Sequence, residues 1–141
     1  MLDNIEGWLP AQYLMDLAEA KDYFSKRIEA NGQDSIAYAH RGMVFRELGE
    51  LVAAFTDLDR SLAINRTNPV VWMNRGVVLQ AQGKFLLAAR DFNEAIRINP
   101  NLANAHFNIG LAFYALSDFE QAIAGYDQAI QLKNNDPIWF V

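Results

Sequence analysis

Three evenly spaced glycines constrain what this chain can fold into. Gly42, Gly76 and Gly110 stand at equal intervals, and small and bulky apolar residues recur at fixed distances from each of them. A unit copied at such a fixed period is one supersecondary element that buries its apolar face only against its neighbours. The chain is therefore predicted to be a stack of repeated units.

The repeated pattern extends over the whole unit. A bulky residue precedes each glycine, an aromatic residue or Leu follows it, and an alanine and a further large apolar residue come later. These columns are Tyr38, Trp72 and His106; Phe45, Leu79 and Phe113; Ala54, Ala88 and Ala122; Leu58, Phe92 and Tyr126. The pattern resembles the tetratricopeptide repeat, with its signature W-x2-L-G-x2-Y, then A-x3-F, then P. The resemblance implies an all-α, right-handed α-solenoid of antiparallel helix pairs that binds proteins or peptides.

Turn residues predict where the helices begin and end. Asn68 followed by Pro69 is typical of an N-cap and a first helical turn. Gly49 and Gly83 stand where a left-handed residue would end the first helix of a repeat, and Ser117 replaces them in the third. We expect second helices over residues 51–64, 85–97 and 119–132.

Six segments follow from the repeat and its two ends. Residues 16–34 are expected to form a capping helix, or half repeat. The repeats then occupy residues 35–68, 69–102 and 103–136, and residues 137–141 begin a truncated further repeat. Residues 1–15 are an extended arm or the remnant of an upstream domain, because residues 7–14 (GWLPAQYL) resemble the closing segment of a Src-homology-three-type barrel.

Small residues and charges recur together in the repeats. The glycine and alanine columns, Gly42, Gly76, Gly110, Ala54, Ala88 and Ala122, are predicted to let the two helices of each repeat approach closely. Arg41 and Asp57 have the same spacing as Arg75 and Asp91, and both charges are absent from the third repeat. We expect partly buried ion pairs, within a hairpin or across to the adjacent repeat; unpaired surface charges are the alternative.

Helical spacing places an apolar set on the opposite side of each first helix, the side that lines the concave surface in the family this chain resembles. The predicted peptide-binding groove comprises Ile36, Met43, Val70, Met73, Asn74, Val77, Asn104, Phe107, Asn108, Leu111 and Tyr114. A helix with a simple solvated face would be largely charged there. The surplus of apolar residues on this side favours a scaffold that binds an apolar or amphipathic peptide. The alternative is that neighbouring first helices bury these residues against one another.

One known ligand mode of the family does not fit. The clamp that grips acidic tails of heat-shock chaperones needs Lys, Asn and Arg at set groove positions. The matching places hold Ala39, Met43, Asn74, Asn104 and Asn108, so only Asn74 agrees.

Composition and motifs limit the remaining functions. The net charge of −5 argues against nucleic acid. No apolar run approaches membrane-spanning length, so membrane insertion is not expected. No cysteine, metal-ligand spacing or nucleophile motif is present, so we expect no enzyme, metal or cofactor. His40 and His106 occupy different columns, and His106 replaces a bulky packing residue.

Two expectations concern the ends of the chain. The start lacks a secretion signal, which favours a cytoplasmic location if Met1 is the natural start. Trp139 and Phe140 restart the repeat pattern, so the alternative function is a structural spacer or self-association module within a longer array, with a homo-oligomer formed through that end.

Overall fold

A computed structural model describes residues 16–134, and within them the chain forms α-helices and no strand. The expectations for residues 1–15 and for Trp139 and Phe140 lie outside the described residues. The helices are α1 (Leu17–Ala30), α2 (Ser35–Glu47), α3 (Leu51–Ile64), α4 (Pro69–Ala81), α5 (Phe85–Ile98), α6 (Ala103–Ala115) and α7 (Phe119–Asn134).

The helix starts depend on short polar side chains. Asp16 Oδ1 accepts a hydrogen bond from the Glu19 N–H at 2.7 Å and so caps α1. Asn68 Oδ1 accepts from the Val70 N–H at 2.9 Å, and Pro69 occupies the first turn of α4, where its missing N–H costs nothing. These caps satisfy N–H groups that have no partner inside the helix.

The first helices of the three repeats end in the same way. Gly49 and Gly83 have φ values of +77° and +78°, and Ser117 adopts +60° at the equivalent position. In each case the next residue donates its N–H to a carbonyl near the end of the helix, as Asp118 does to Phe113 at 2.9 Å. The third repeat thus keeps a left-handed turn without the glycine that such a turn favours.

The helices stack as successive antiparallel hairpins. α2 packs on α3, α4 on α5 and α6 on α7, while α1 covers the exposed side of α2. α2 also contacts α4, and α4 contacts α6, whereas no two of α1, α3, α5 and α7 contact one another among the described residues. The array therefore curves, with α2, α4 and α6 on its inner side.

The repeated glycines lie where the paired helices approach most closely. A Cβ atom at Gly42 would lie 2.8 Å from Leu58 Cγ, and one at Gly76 would lie 2.6 Å from the Phe92 ring. Leu58 and Phe92 are fully buried, so neither can move aside cheaply. At Gly110 the Tyr126 ring would be 2.8 Å away.

The alanine column completes this contact. Ala54 and Ala88 are fully buried and Ala122 is nearly so. Around these contacts, apolar side chains from neighbouring repeats form core clusters, so the core extends from one repeat to the next. The predicted all-α solenoid of antiparallel helix pairs is confirmed.

Candidate interaction surface

Two arginine–aspartate pairs join the helices of the first two repeats. Arg41 contacts Asp57 through two hydrogen bonds of 2.6 and 2.9 Å, and Arg75 contacts Asp91 at 2.7 and 2.9 Å. Both aspartates are buried, with exposed fractions of 4% and 5%. The hydrogen bond to its aspartate raises the pKa of each guanidinium above its ordinary value. Bidentate contacts between a guanidinium and a carboxylate fix the orientation of two helices as well as their separation.

Each arginine also contacts the preceding helical unit. Arg41 Nη1 donates to Ser25 Oγ at 3.1 Å, and Arg75 Nη1 contacts Asp59 Oδ1 at 2.7 Å. The pairing is therefore both within a hairpin and across to its neighbour. The sequence pattern did not assign Ser25 and Asp59 as partners of the arginines, although they stand one repeat apart and precede their arginines by the same interval.

The third repeat fills the same positions without charge. Ile109 stands in the arginine column and Gly125 in the aspartate column. A Cβ atom at Gly125 would lie 2.9 Å from the Gly110 nitrogen and from the His106 carbonyl oxygen. The backbones of α6 and α7 therefore meet where the other repeats hold an ion pair.

The predicted groove residues lie on the inner helices and differ in accessibility along the array. Met43, Met73, Val77 and Asn108 are half-buried, because adjacent inner helices contact one another. The more exposed members are Ile36 at 58%, Val70 at 42%, Leu111 at 36% and Tyr114 at 60%, together with Asn104. The inner surface thus combines half-buried side chains with exposed apolar ones on each of α2, α4 and α6.

Asn74 has a structural partner. It is 6% exposed, and its Oδ1 accepts a hydrogen bond of 2.9 Å from Arg46 Nη1, so it links α2 to α4. Ala39, one of the positions at which the family's clamp needs a polar side chain, is buried. Asn74 is therefore occupied with holding α2 and α4 together.

Two aromatic groove residues contact α7. The ring of Phe107 lies 5.5 Å from that of Tyr126, and the ring of Tyr114 lies 5.5 Å from that of Phe119. Phe107 also lines an apolar hollow of about 460 Å³ with Tyr126, Ala129, Ile130 and Lys133. Phe107 therefore belongs to the end surface of the third repeat as well as to the predicted groove.

The histidines have structural partners. His106 Nε2 lies 3.0 Å from the Pro100 carbonyl oxygen, and Trp72 Nε1 makes the same contact with Arg66, 2.9 Å away. The imidazole thus replaces the indole in the bulky column and keeps its hydrogen bond. His40 stacks on the Phe24 ring at 5.1 Å.

Residues 16–134 contain neither a metal site nor a membrane span. No group of three His, Asp or Glu side chains in this range could hold a metal ion. No helix in the same range is both long and apolar enough to cross a bilayer.

The stacked hairpins and their accessible inner face place the chain in the class of α-solenoid proteins. The family model described as tetratricopeptide repeat matches residues 73–137. Over these residues, and in its repeated two-helix unit, the chain is similar to the tetratricopeptide repeat family. Repeats of this family are generally non-enzymatic modules, and the match supports a protein-interaction scaffold. No curated protein sequence matches the chain significantly.

Several solved structures have the same fold. MamA superimposes with a TM-score of 0.80 at 22% identity, covering 84% of this chain and 69% of MamA. YrrB, a TPR protein with an unusual peptide-binding site, gives 0.77 at 24% identity, covering 84% of this chain and 61% of YrrB. The first TPR of Spaghetti (RPAP3), bound to the HSP90 peptide SRMEEVD, gives 0.71 at 25% identity, covering 74% of this chain and 83% of that one.

Proposed function

We propose that the scaffold binds an apolar or amphipathic peptide segment along the inner surface formed by α2, α4 and α6. The observation that carries this proposal is the series of apolar side chains on those helices, several of them more than one-third exposed. Exposed apolar residues that recur in register along one surface favour a partner more than scattered ones do. The peptide-binding neighbours YrrB and RPAP3 support the peptide class of ligand.

The character of the surface suggests what kind of peptide it accepts. Met43 and Met73 on this surface are flexible and polarisable, so they can adapt to different apolar side chains. Exposed Ile36, Val70 and Leu111 add aliphatic area. Of the side chains required to clamp two carboxylates only Asn74 is present, so we expect a ligand unlike the acidic peptide SRMEEVD that RPAP3 binds.

Peptide selection with matched variants tests the proposal. A phage-displayed dodecapeptide library is panned on the chain, and affinities of the selected peptides are measured by fluorescence anisotropy. Leu111→Glu places a charge on the inner surface, and Leu86→Glu makes the same change at a 64% exposed site on α5. We expect Leu111→Glu to weaken binding at least tenfold and Leu86→Glu by less than twofold.

Two results would contradict the proposal. The first is a selection that yields no peptide above background. The second is a set of peptides for which the two glutamate variants bind with equal affinity. Circular dichroism melting of both variants ensures that the comparison is made on folded protein.

A second candidate function, self-association, is favoured by the apolar hollow at the α6–α7 end. Its lining includes Phe107, which is 46% exposed, and Ile130, which is 57% exposed. Sedimentation velocity over a range of concentrations tests this function on the whole chain, on Ile130→Glu and on a chain shortened by residues 137–141. Dimers lost in both altered proteins would support self-association, and a monomer at all concentrations would exclude it.

A further inference from the structure

The outer side of the molecule holds a cleft unrelated to the inner surface. It has a volume of about 550 Å³ and lies at the junction of α3, α4 and α5. Its lining comprises Phe55, Arg66, Trp72, Arg75, Leu79, Leu87, Arg90, Asp91, Asn93 and Glu94. Apolar side chains and arginines therefore share one concave surface.

Two of the three arginines that line the cleft form no ion pair among the described residues. Arg75 is neutralised by Asp91 and Asp59, and Glu94 is paired with Arg97 at 3.1 Å. Arg66 and Arg90 form no ion pair within residues 16–134. The four arginines and three carboxylates named here therefore leave one net positive charge at the cleft, on a chain whose net charge is −5.

Arg66 is held in place by its surroundings. Its carbonyl oxygen accepts the Trp72 indole N–H at 2.9 Å, and its guanidinium lies 5.3 Å from the centre of the Trp72 ring. Stacking on an indole limits the conformations of the guanidinium while leaving its N–H donors available.

The apolar part of the cleft is accessible as well. Leu87 is 45% exposed, and Phe55 beside it is half-buried. A small inorganic anion would contact the arginines but leave these side chains in water. A peptide would cover both kinds of group.

The next repeat provides an internal comparison. The equivalent cleft at α5, α6 and α7 is lined by Asn93, Ile96, His106, Ile109, Phe113, Gln121, Ala124, Gly125 and Gln128. Ala124 stands one repeat after Arg90, and Gln121 stands one repeat after Leu87. The combination of basic and aliphatic side chains is therefore present at the junction of α3, α4 and α5 and not at the next one.

We propose that the cleft between α3, α4 and α5 binds an acidic peptide segment, in which an apolar side chain packs on Leu87 and Phe55 and a neighbouring Asp or Glu pairs with Arg66 and Arg90. This site is separate from the inner surface, and the partner carries the opposite charge to the cleft. The scaffold can then hold two different segments at once, one on each side.

Differential selection tests this site. A random dodecapeptide phage library is panned on the whole chain and counter-selected on Arg66→Ala/Arg90→Ala, which removes peptides that bind elsewhere. The control Arg60→Ala/Lys84→Ala makes the same change in net charge with two exposed residues that do not line the cleft. Alanine at position 90 copies Ala124, so the fold is expected to tolerate it.

We expect the recovered peptides to contain an acidic residue near an apolar one. Their Kd should rise at least tenfold on the Arg66→Ala/Arg90→Ala protein and less than twofold on the control. Replacing the peptide's Asp and Glu by Asn and Gln should weaken binding to the same extent.

Three outcomes would overturn the proposal. Counter-selection could leave no peptide. The recovered peptides could bind both double variants equally, which would place them elsewhere. The Asn and Gln versions of the peptides could bind as tightly as the acidic ones, which would show that no carboxylate pairs with Arg66 and Arg90. Retention of the peptides by Leu111→Glu separates this site from the inner surface, so either proposal can fail alone.

Discussion

The first two repeats join their helices by charge, whereas the third joins them by backbone contact. The columns concerned are Arg41, Arg75 and Ile109 on the first helices, and Asp57, Asp91 and Gly125 on the second. An aspartate side chain fits between the helices of repeats one and two, whereas a single added carbon at Gly125 would meet backbone at 2.9 Å.

The difference shows that one repeat position can satisfy the fold in two ways. The arginines of these ion pairs also contact the preceding unit, through Ser25 and Asp59, so they link successive repeats. The glycine contact acts only within its own hairpin. We therefore expect the charged junctions to control cooperativity along the array, and the third repeat to depend on close packing.

The largest expected effect comes from breaking a buried pair. Arg75→Ala leaves the Asp91 carboxylate, which is 5% exposed, without its partner. Removal of one member of a buried pair costs about 3–5 kcal/mol of unfolding free energy. Urea unfolding followed by circular dichroism measures this cost. A loss below about 1 kcal/mol would show that the pair behaves as a surface one.

A chimeric variant sharpens this test. Arg75→Ile/Asp91→Gly installs the residues of the third repeat in the second. Both charges are then absent and no buried carboxylate is left unpaired, so we expect a smaller loss than for Arg75→Ala alone. A larger loss would mean that the two solutions cannot be exchanged between repeats.

The packing of the third repeat is tested by Gly125→Ala. The added methyl group meets the backbone of Gly110 and His106, which cannot rotate away, so α6 and α7 must separate. Overpacking of this kind costs about 1–3 kcal/mol. Gly32→Ala is the control, because a Cβ atom there meets nothing within 4 Å. Equal unfolding midpoints for the two variants would contradict the close contact.

A smaller gain is expected from Ser117→Gly. Ser117 has φ +60°, whereas the equivalent Gly49 and Gly83 adopt the same region freely. Relief of this conformation is offset in part by the entropy of glycine in the unfolded chain, which leaves about 0.5–1 kcal/mol of stabilisation. The reverse change, Gly83→Ser, should destabilise. Thermal melts in which Ser117→Gly lowers the melting temperature, or Gly83→Ser raises it, would refute the turn assignment.

The smallest effect concerns acid. The pKa of Asp34 is lowered from its ordinary value of 3.8, first by the hydrogen bond from the Ala37 N–H and also by Arg27. The contribution of the Asp34 carboxylate to folding stability is therefore complete above about pH 4 and is lost as the pH falls through the lowered pKa. Asp34→Asn keeps an acceptor but does not titrate, so its melting temperature should fall less steeply below pH 4. Parallel curves for the two proteins would contradict this coupling.

Much of the fold followed from the sequence because its determinants are periodic. The glycine common to every repeat, the left-handed turn positions and Asn68 with Pro69 each have a local physical meaning, and the helices begin and end close to the expected residues. The inner surface was harder to define. Two of its contacts depend on how the helices pack: the hydrogen bond from Arg46 to Asn74 and the ring contact of Phe107 with Tyr126.

The outer cleft could not be read from the sequence. Arg66 lies in a loop and Arg90 on α5, and only the stacking of two hairpins brings both to one surface with Trp72. The periodic pattern did contain one usable signal, since Arg90 and Leu87 have no counterpart in the third repeat. Differences between repeats are thus as informative about binding as their similarities are about the fold.

Methyl NMR on methionine tests the proposed inner binding surface most directly. The chain has four methionines, of which Met43 and Met73 are half-buried on the inner helices. The methionines are labelled with ¹³Cε, and their signals are assigned with Met43→Leu and Met73→Leu. The peptide used is one that was selected on the unaltered chain and that binds more weakly to Leu111→Glu. Titration with this peptide should shift both methyl signals saturably. The same peptide bound at full affinity, with both signals unmoved, would show that the inner surface of α2 and α4 is not where the peptide binds.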